Sequence, residues 1–301
     1  MTTIDAATEI ALKNILFLTD FSEPSEAAVP FVTSIARGYA AGVYALHVFM
    51  PCLYIYTPPG VSPATIGVEE EYVKTSMQRL DSQLAGLRHE TIVHRSLEVW
   101  PAVRDAIREH EIDLIVLGTH GRTGAERLLL GSVAEEIFRR SPVPVLTIGP
   151  DARTGMHAAG HFRRVLFATD FTPASLAAAP YALSLAQGND ARLLLFHVMR
   201  HPEERAEKDA KRFELTVAEA IHHLYDTIPK GVELRFPPEV LVEYGDPAER
   251  ILEAARERNA DLIVLGVRGA SGHMGAATHL ERPTAHKIVA HAACPVLTVR
   301  Q

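Results

Sequence analysis

Asp113-Leu114-Ile115-Val116-Leu117-Gly118, followed downstream by Gly131-Ser132-Val133-Ala134-Glu135-Glu136-Ile137-Phe138, is an apolar run that ends in glycine and leads through a glycine-bearing loop into a helical pattern. A short apolar run bounded by turn residues predicts a buried strand, and the spacing after Ser132 predicts a helix. Strand, loop and helix in that order form one unit of a fold whose strands pair in parallel through helical crossovers. Glycine at the strand end lets a ligand approach bare backbone. A helix opening at Gly131-Ser132 presents unpaired N–H groups and its positive dipole end to an anion. This arrangement suits nucleotide phosphates.

Upstream, strands are expected at 14–19, 43–49 and 90–97, with the run above giving 114–117 and a fifth at 143–148. Helices are expected at 22–39, with Ser22 as N-cap, at 69–87, at 101–111 opened by Pro101, and at 132–140. Val73, Met77, Leu80, Leu84 and Leu87 form one face of the second of these and read as core contacts. Alternating strands and helices demand right-handed crossovers, so the unit is a doubly wound α/β domain: a five-stranded parallel sheet, order 3-2-1-4-5, with helices on both faces. The stretch 50–68 is rich in proline, glycine and tyrosine and reads as a surface excursion, either a lid or a tolerated insertion.

The chain then repeats itself. Leu16-Phe-Leu-Thr-Asp-Phe-Ser22 returns as Leu166-Phe-Ala-Thr-Asp-Phe-Thr172, His47-Val48 as His197-Val198, and Pro144-Val-Leu-Thr147 as Pro295-Val-Leu-Thr298. Asp113 to Gly118 returns as Asp261-Leu-Ile-Val-Leu-Gly266. So long a period means two tandem domains, 1–150 and 151–301, joined by a linker at 149–161 that contains Gly155 and Gly160.

With 301 residues, 47% of them hydrophobic, each half is large enough to bury its own core. Cys52 and Cys294 fall in different repeats, which argues against a disulfide framework and for a reducing compartment. No apolar run reaches a membrane-spanning length and residues 1–5 lack a secretory pattern, so a cytoplasmic, membrane-free protein is expected. The net charge of −7 argues against non-specific nucleic-acid binding. Arg122 and Arg127 nevertheless flank the glycine loop, where positive charge favours a triphosphate.

In the order 3-2-1-4-5, strands one and four meet at the point where the sheet reverses direction, so Asp20 and the glycine loop face one crevice. The set Thr19-Asp20-Phe21-Ser22, Leu46-His47-Val48 and Gly118-x2-Gly121-x9-Gly131-Ser132 resembles the universal stress protein family, over nearly the whole chain and as a tandem pair. The resemblance implies ATP held by the long glycine motif. Asp20 and Val48 then contact adenine, Leu117 and Gly118 the nucleoside, and Gly121, Gly131, Ser132 and Val133 the ribose and phosphates. Leu18, Arg122 and Arg127 complete the candidate site, and whether Mg2+ accompanies the nucleotide stays open. The resemblance also implies that the fifth strands, otherwise sheet edges, pair with each other as an internal pseudo-dimer; further association of whole chains is not readable.

The residues carry alternatives. Asp20 either accepts a hydrogen bond from an adenine amino group or caps the following helix; Gly118 and Gly121 serve close approach or a turn; Ser132 is a phosphate ligand or a cap. His47 and His197 read as satisfied core histidines, and no catalytic residue is assigned. The glycine loop lacks the Gly-Lys-Ser/Thr ending of a P-loop and the first turn lacks a dinucleotide fingerprint.

In the second repeat Gly266-Val-Arg-Gly269 opens the motif, but His279 or Arg282-Pro283 stands where Gly-Ser is required. Proline has no N–H to offer, so one ATP site per chain is expected, in the first domain. His273, His279, His286 and His291 lack a tight ligand spacing and no metal is assigned. The leading function is an ATP-binding stress or regulatory protein. The alternatives are slow ATP hydrolysis at the same site, with Arg122, Arg127 and His120 nearby but no convincing base, and a scaffold or other small-ligand module that does not use nucleotide.

Overall fold

Ile15, Leu16 and Phe17 are each fully buried, as are Ile115 and Val116, because helices cover both faces of the sheet that these residues build. Each such side chain contributes about 1.5–3 kcal/mol when removed from water, which is why the strands read as continuous apolar runs instead of alternating ones. The computed structural model describes residues 10–49, 63–119, 130–149, 152, 161–199, 216–268 and 284–300. The first repeat contributes β1 (Asn14–Leu18), β2 (Gly42–Phe49), β3 (His89–Arg95), β4 (Leu114–Gly118) and β5 (Val145–Ile148). All pair in parallel, in the spatial order β3-β2-β1-β4-β5.

The second repeat builds β6 (Arg164–Ala168), β7 (Arg192–Met199), β8 (Glu239–Tyr244), β9 (Leu262–Val267) and β10 (Val296–Arg300) in the matching order. The halves do not form two separate sheets. β5 and β10 lie side by side and antiparallel, with Leu146 opposite Leu297, giving one ten-stranded sheet. The Thr147 hydroxyl donates to the Val296 carbonyl (3.1 Å) and the Thr298 hydroxyl to the Val145 carbonyl (3.2 Å), so each threonine satisfies its neighbour's strand. What would be two hydrogen-bonding edges are thereby covered.

The apolar layers also run across the junction. On one face Ile15, Phe17, Val32 and Ile35 share a core with Phe162, Phe167 and Leu183; on the other, Leu16, Leu18, Ile115 and Ile137 share one with Ile263 and Ile288. Phe31 stacks on Phe162 with 6.2 Å between ring centroids, and the Tyr39 and Ser184 hydroxyls are 3.0 Å apart.

Three helix boundaries differ from expectation, each for a local reason. The helix expected at 22–39 is two helices, Glu23–Glu26 and Val29–Tyr39, because Pro30 has no N–H for an unbroken ladder and is placed in the first turn of a new helix. The helix expected at 69–87 runs Pro63–Gln83, so the excursion proposed for 50–68 contains its first turns; residues 50–62 lie outside the described set. Val73, Met77, Leu80 and Leu84 are buried, while Leu87 lies past the helix end. The third helix, Val99–Glu109, starts two residues before Pro101. Most of the linker and the stretch 200–215 are outside the described residues.

Candidate functional site

The turn that leaves β1 is held by its own side chains. Thr19 Oγ1 accepts from the Phe21 N–H (3.1 Å) and the Ser25 hydroxyl (2.7 Å). One carboxylate oxygen of Asp20 accepts from both the N–H (3.0 Å) and the hydroxyl (2.5 Å) of Ser22. These bonds hold Phe21 at φ 60°, a left-handed conformation that a bulky residue seldom adopts. Its ring lies 4.5 Å from that of His47, and buried His47 brings Nδ1 to 2.8 Å from the Thr19 carbonyl. His47 is thus a partnered core residue. Ser22 is the N-cap of Glu23–Glu26, as the sequence predicts, so Asp20 does not cap that helix but holds the residue that does.

Strand register brings two of the candidates, Asp20 and Val48, to one level. Leu18 pairs with Leu46 on β2 and with Leu117 on β4, so two residues further on Asp20, Val48 and Thr119 stand at the carboxyl ends of adjacent strands. Adjacent strands are about 4.8 Å apart, the reach of one small ligand. Leu18 and Leu117 are buried in the layer beneath, Val48 packs partly against it, and Asp20 is half-buried.

Gly118 belongs to the framework. A Cβ there would stand 3.0 Å from the carbonyl carbon and oxygen of Pro24 and 3.1 Å from the Ser25 nitrogen, and its φ is not left-handed. Packing alone requires a glycine here, and no left-handed turn does. It makes room for the helix that follows β1, and Gly266 does the same in the second repeat, where a Cβ would meet the Ala174 carbonyl oxygen at 2.0 Å.

The helix Ser132–Arg140 starts where the motif needs it. The Gly131 N–H donates to the Thr119 carbonyl (2.8 Å), tying the two ends of the glycine loop together, and Glu135 N–H donates to the Gly131 carbonyl (2.8 Å) as the first helical bond. Gly131 is the N-cap and makes no side-chain cap hydrogen bond, so the N–H groups of Ser132, Val133 and Ala134 lack intrahelical partners. The helices Val29–Tyr39, Val99–Glu109 and Ala179–Gly188 also start without a side-chain cap, whereas Thr216 and Glu219 form a capping box and Asp246 accepts from the N–H groups of Ala248 and Glu249. Ser132 is the first helical residue and not the cap, and Ser132 and Val133 are exposed. Gly121, Arg122, Arg127 and His120 lie outside the described residues.

The second repeat reproduces the first turn closely. Thr169 Oγ1 accepts from the Phe171 N–H (3.0 Å) and lies 2.8 Å from the Ser175 hydroxyl; Asp170 accepts from the N–H (3.0 Å) and hydroxyl (2.6 Å) of Thr172; Phe171 has φ 60°; His197 Nδ1 is 2.8 Å from the Thr169 carbonyl. Burial lowers the His197 pKa, against the opposing pull of that carbonyl and of Asp170. Burial raises that of Asp170, but hydrogen bonds from Thr172 and Ser175 and the Arg268 charge leave it below the usual value. A turn built twice, once without the full glycine motif, is a device of the fold. The repeated Thr and Ser partners were legible in the sequence as paired positions, although their role was not. His286 is buried, His291 Nδ1 bonds the Lys287 carbonyl (2.8 Å), and His273, His279, Gly269 and Arg282-Pro283 are outside the described residues. Among the described residues no group of three or more His, Cys, Asp or Glu is placed to hold a metal, and no helix is long and apolar enough to cross a membrane. Cys294 is free and buried.

Two sizeable cavities lie away from this crevice. One, of 560 Å3, runs between the helix Pro63–Gln83 and the edge strand β3, and another, of 1520 Å3, opens between the repeats beside Tyr39 and Ser184.

Residues 11–149 and 161–300 each match the model of the universal stress protein family. A universal stress protein of Methanocaldococcus jannaschii is 33% identical over 141 residues, covering 45% of this chain and 81% of its own length. A universal stress protein of Mycobacterium bovis is 26% identical over 259 residues, covering 81% of this chain and 82% of its own. The crystal structure of a universal stress protein from Archaeoglobus fulgidus superposes with a TM-score of 0.67 at 23% identity, covering 97% of this chain and 99% of that one, which shows the same fold.

Proposed function

The chain belongs to the universal stress protein family, and on that footing we propose that it is a cytoplasmic stress-response or regulatory protein that binds ATP, one per chain, in the first of its two domains. The domains are 1–150 and 151–301. What supports this reading most is the placement of the helix Ser132–Arg140: its glycine cap is tied to the end of β4 by the 2.8 Å Gly131–Thr119 hydrogen bond, which leaves the first-turn amides at the carboxyl end of the sheet. Amides so placed at a helix N-terminus are ligands for phosphate oxygens.

Asp20 and Val48 are assigned to the adenine, Leu18, Leu117 and Gly118 to the wall beneath the nucleoside, and Gly121, Arg122, Arg127, Gly131, Ser132 and Val133 to the ribose and phosphates. Asp20 accepts from Ser22 through one carboxylate oxygen, and its carboxylate is the group assigned to the adenine amino group. Nucleotide occupancy then favours one arrangement of the surrounding loops, and with it one surface for partners, by its difference in affinity between the two.

Isothermal titration with ATP and GTP, each with Mg2+ or with EDTA, tests this. One ATP per chain with preference over GTP is the expected result. No heat and no displacement of a fluorescent ATP analogue at millimolar nucleotide would overturn it.

A further inference from the structure

The helix proposed to hold the phosphates is fastened at its other end by the second repeat. The Phe138 carbonyl is among the last of the helix: Ser141 turns extended (φ −60°, ψ 128°) after bonding the Ile137 carbonyl, and residue 142 is proline, so the local backbone offers Phe138 no N–H. The missing donor comes from far along the chain: the Arg300 guanidinium, on β10, donates to the Phe138 carbonyl at 2.6 Å. Arg300 stands beside the repeat junction because β10 pairs with β5.

The equivalent positions are exchanged in the other direction. Pro144 to Thr147 aligns with Pro295 to Thr298, so Pro142 corresponds to Ala293 and Arg300 to Gly149. Ala293 and Gly149 therefore stand in the second repeat's version of this arrangement where Pro142 and Arg300 stand in the first. Gly149 abuts the end of the helix Thr284–His291, where a Cβ would come within 3.3 Å of the Ala292 carbonyl oxygen. Repeat two supplies a donor to the helix of repeat one, and Gly149 has no side chain to return one, so the arrangement is one-directional.

We infer that Arg300 is a positioning residue for the phosphate site of the first repeat: by closing the C-terminal end of the helix Ser132–Arg140 it fixes the axis along which the Ser132, Val133 and Ala134 amides point. This rests on the nucleotide reading above and gives the second repeat a part in binding without a nucleotide of its own. A cation at a helix C-terminus opposes the negative end of the dipole, and a charge-assisted bond to a carbonyl is among the stronger single contacts.

The test uses the full chain and ATP itself. Arg300→Met keeps the apolar stem and removes the donors; it is expected to weaken ATP binding about fivefold, the lower end of ordinary coupling between sites. It is also expected to speed hydrogen exchange of amides within Ser132–Arg140 relative to those of the helix Val99–Glu109. Arg300→Lys keeps a cation at the same place and is expected to lose less affinity than R300M. Unchanged affinity in R300M, or an equal loss in R300M and R300K, contradicts the inference. If R300M does not fold, Arg300→Gln takes its place: weakened ATP binding with faster exchange in Ser132–Arg140 supports the inference and unchanged binding contradicts it. Failure of the unaltered chain to bind ATP removes the nucleotide reading itself, whereas normal binding with indifference to Arg300 removes only this inference.

Discussion

The Gly131 amide donates to the Thr119 carbonyl at 2.8 Å, so the residue that opens one helix is bonded to the residue that ends β4. That bond sets the helix start at the carboxyl end of β4, the neighbour of β1, beyond whose end Asp20 stands.

Gly131 has φ −60° and ψ 146°, a conformation open to any residue, so Gly131→Ala separates ligand approach from backbone strain. The unfolding free energy is expected to change by no more than about 0.5 kcal/mol. ATP affinity is expected to fall about tenfold, some 1.4 kcal/mol, because the added methyl keeps phosphate oxygens from the first-turn amides. Urea unfolding and titration calorimetry on the same variant read the two effects apart.

Gly118→Ala should behave in the opposite way. Its methyl meets the Pro24 backbone at 3.0 Å, and overpacking of this kind costs about 1–3 kcal/mol. Gly266→Ala, with 2.0 Å to the Ala174 oxygen, is expected to cost more, although it lies in the repeat without the full motif. Equal, negligible shifts of the urea midpoint in both variants would show that these glycines do not serve the packing assigned to them.

Asp20→Ala removes an acceptor for the Ser22 N–H and hydroxyl. It is expected to cost about 1 kcal/mol of stability without nucleotide and also to erase the preference for ATP over GTP. Competition between the two nucleotides is the measurement, and a preserved preference would detach Asp20 from base recognition.

Burial pushes the Cys294 thiol up to about 12, with the Asp261 charge adding to the rise. A pKa raised in the folded state means that the stabilisation is complete below the unfolded value, near 8.5, and is lost as pH climbs from there toward 12. Stability is expected to fall by about 2 kcal/mol between pH 8.5 and 10 from this group, a slope that Cys294→Ala removes. Mass mapping after iodoacetamide treatment at pH 8 should find Cys294 unmodified in the folded chain and modified in urea.

The fold was legible because burial on both faces leaves strands such as Ile15 to Leu18 uninterrupted by polar residues, and because the chain states them twice. The break at Ala27–Ala28 was missed although Pro30 was in view, since a proline in the first turn of a new helix and one inside a longer helix look alike until neighbours are known. The packing role of Gly118 was not legible because its neighbour, the Pro24 backbone, is brought to it only by tertiary packing. The fusion into ten strands depends on β5 and β10 meeting, and the link from Arg300 to Phe138 becomes visible only then. That Asp20 stands beside the end of β4 was legible because strand order alone makes β1 and β4 neighbours.

The most direct measurement is native mass spectrometry of the freshly isolated chain, alone and after addition of ATP. The account predicts a single adduct of the mass of one ATP per chain, diminished in Gly131→Ala and unaffected by a change of Asp170 to alanine. A chain that takes up two ATP molecules, takes up none, or carries a different molecule that ATP does not displace would contradict it.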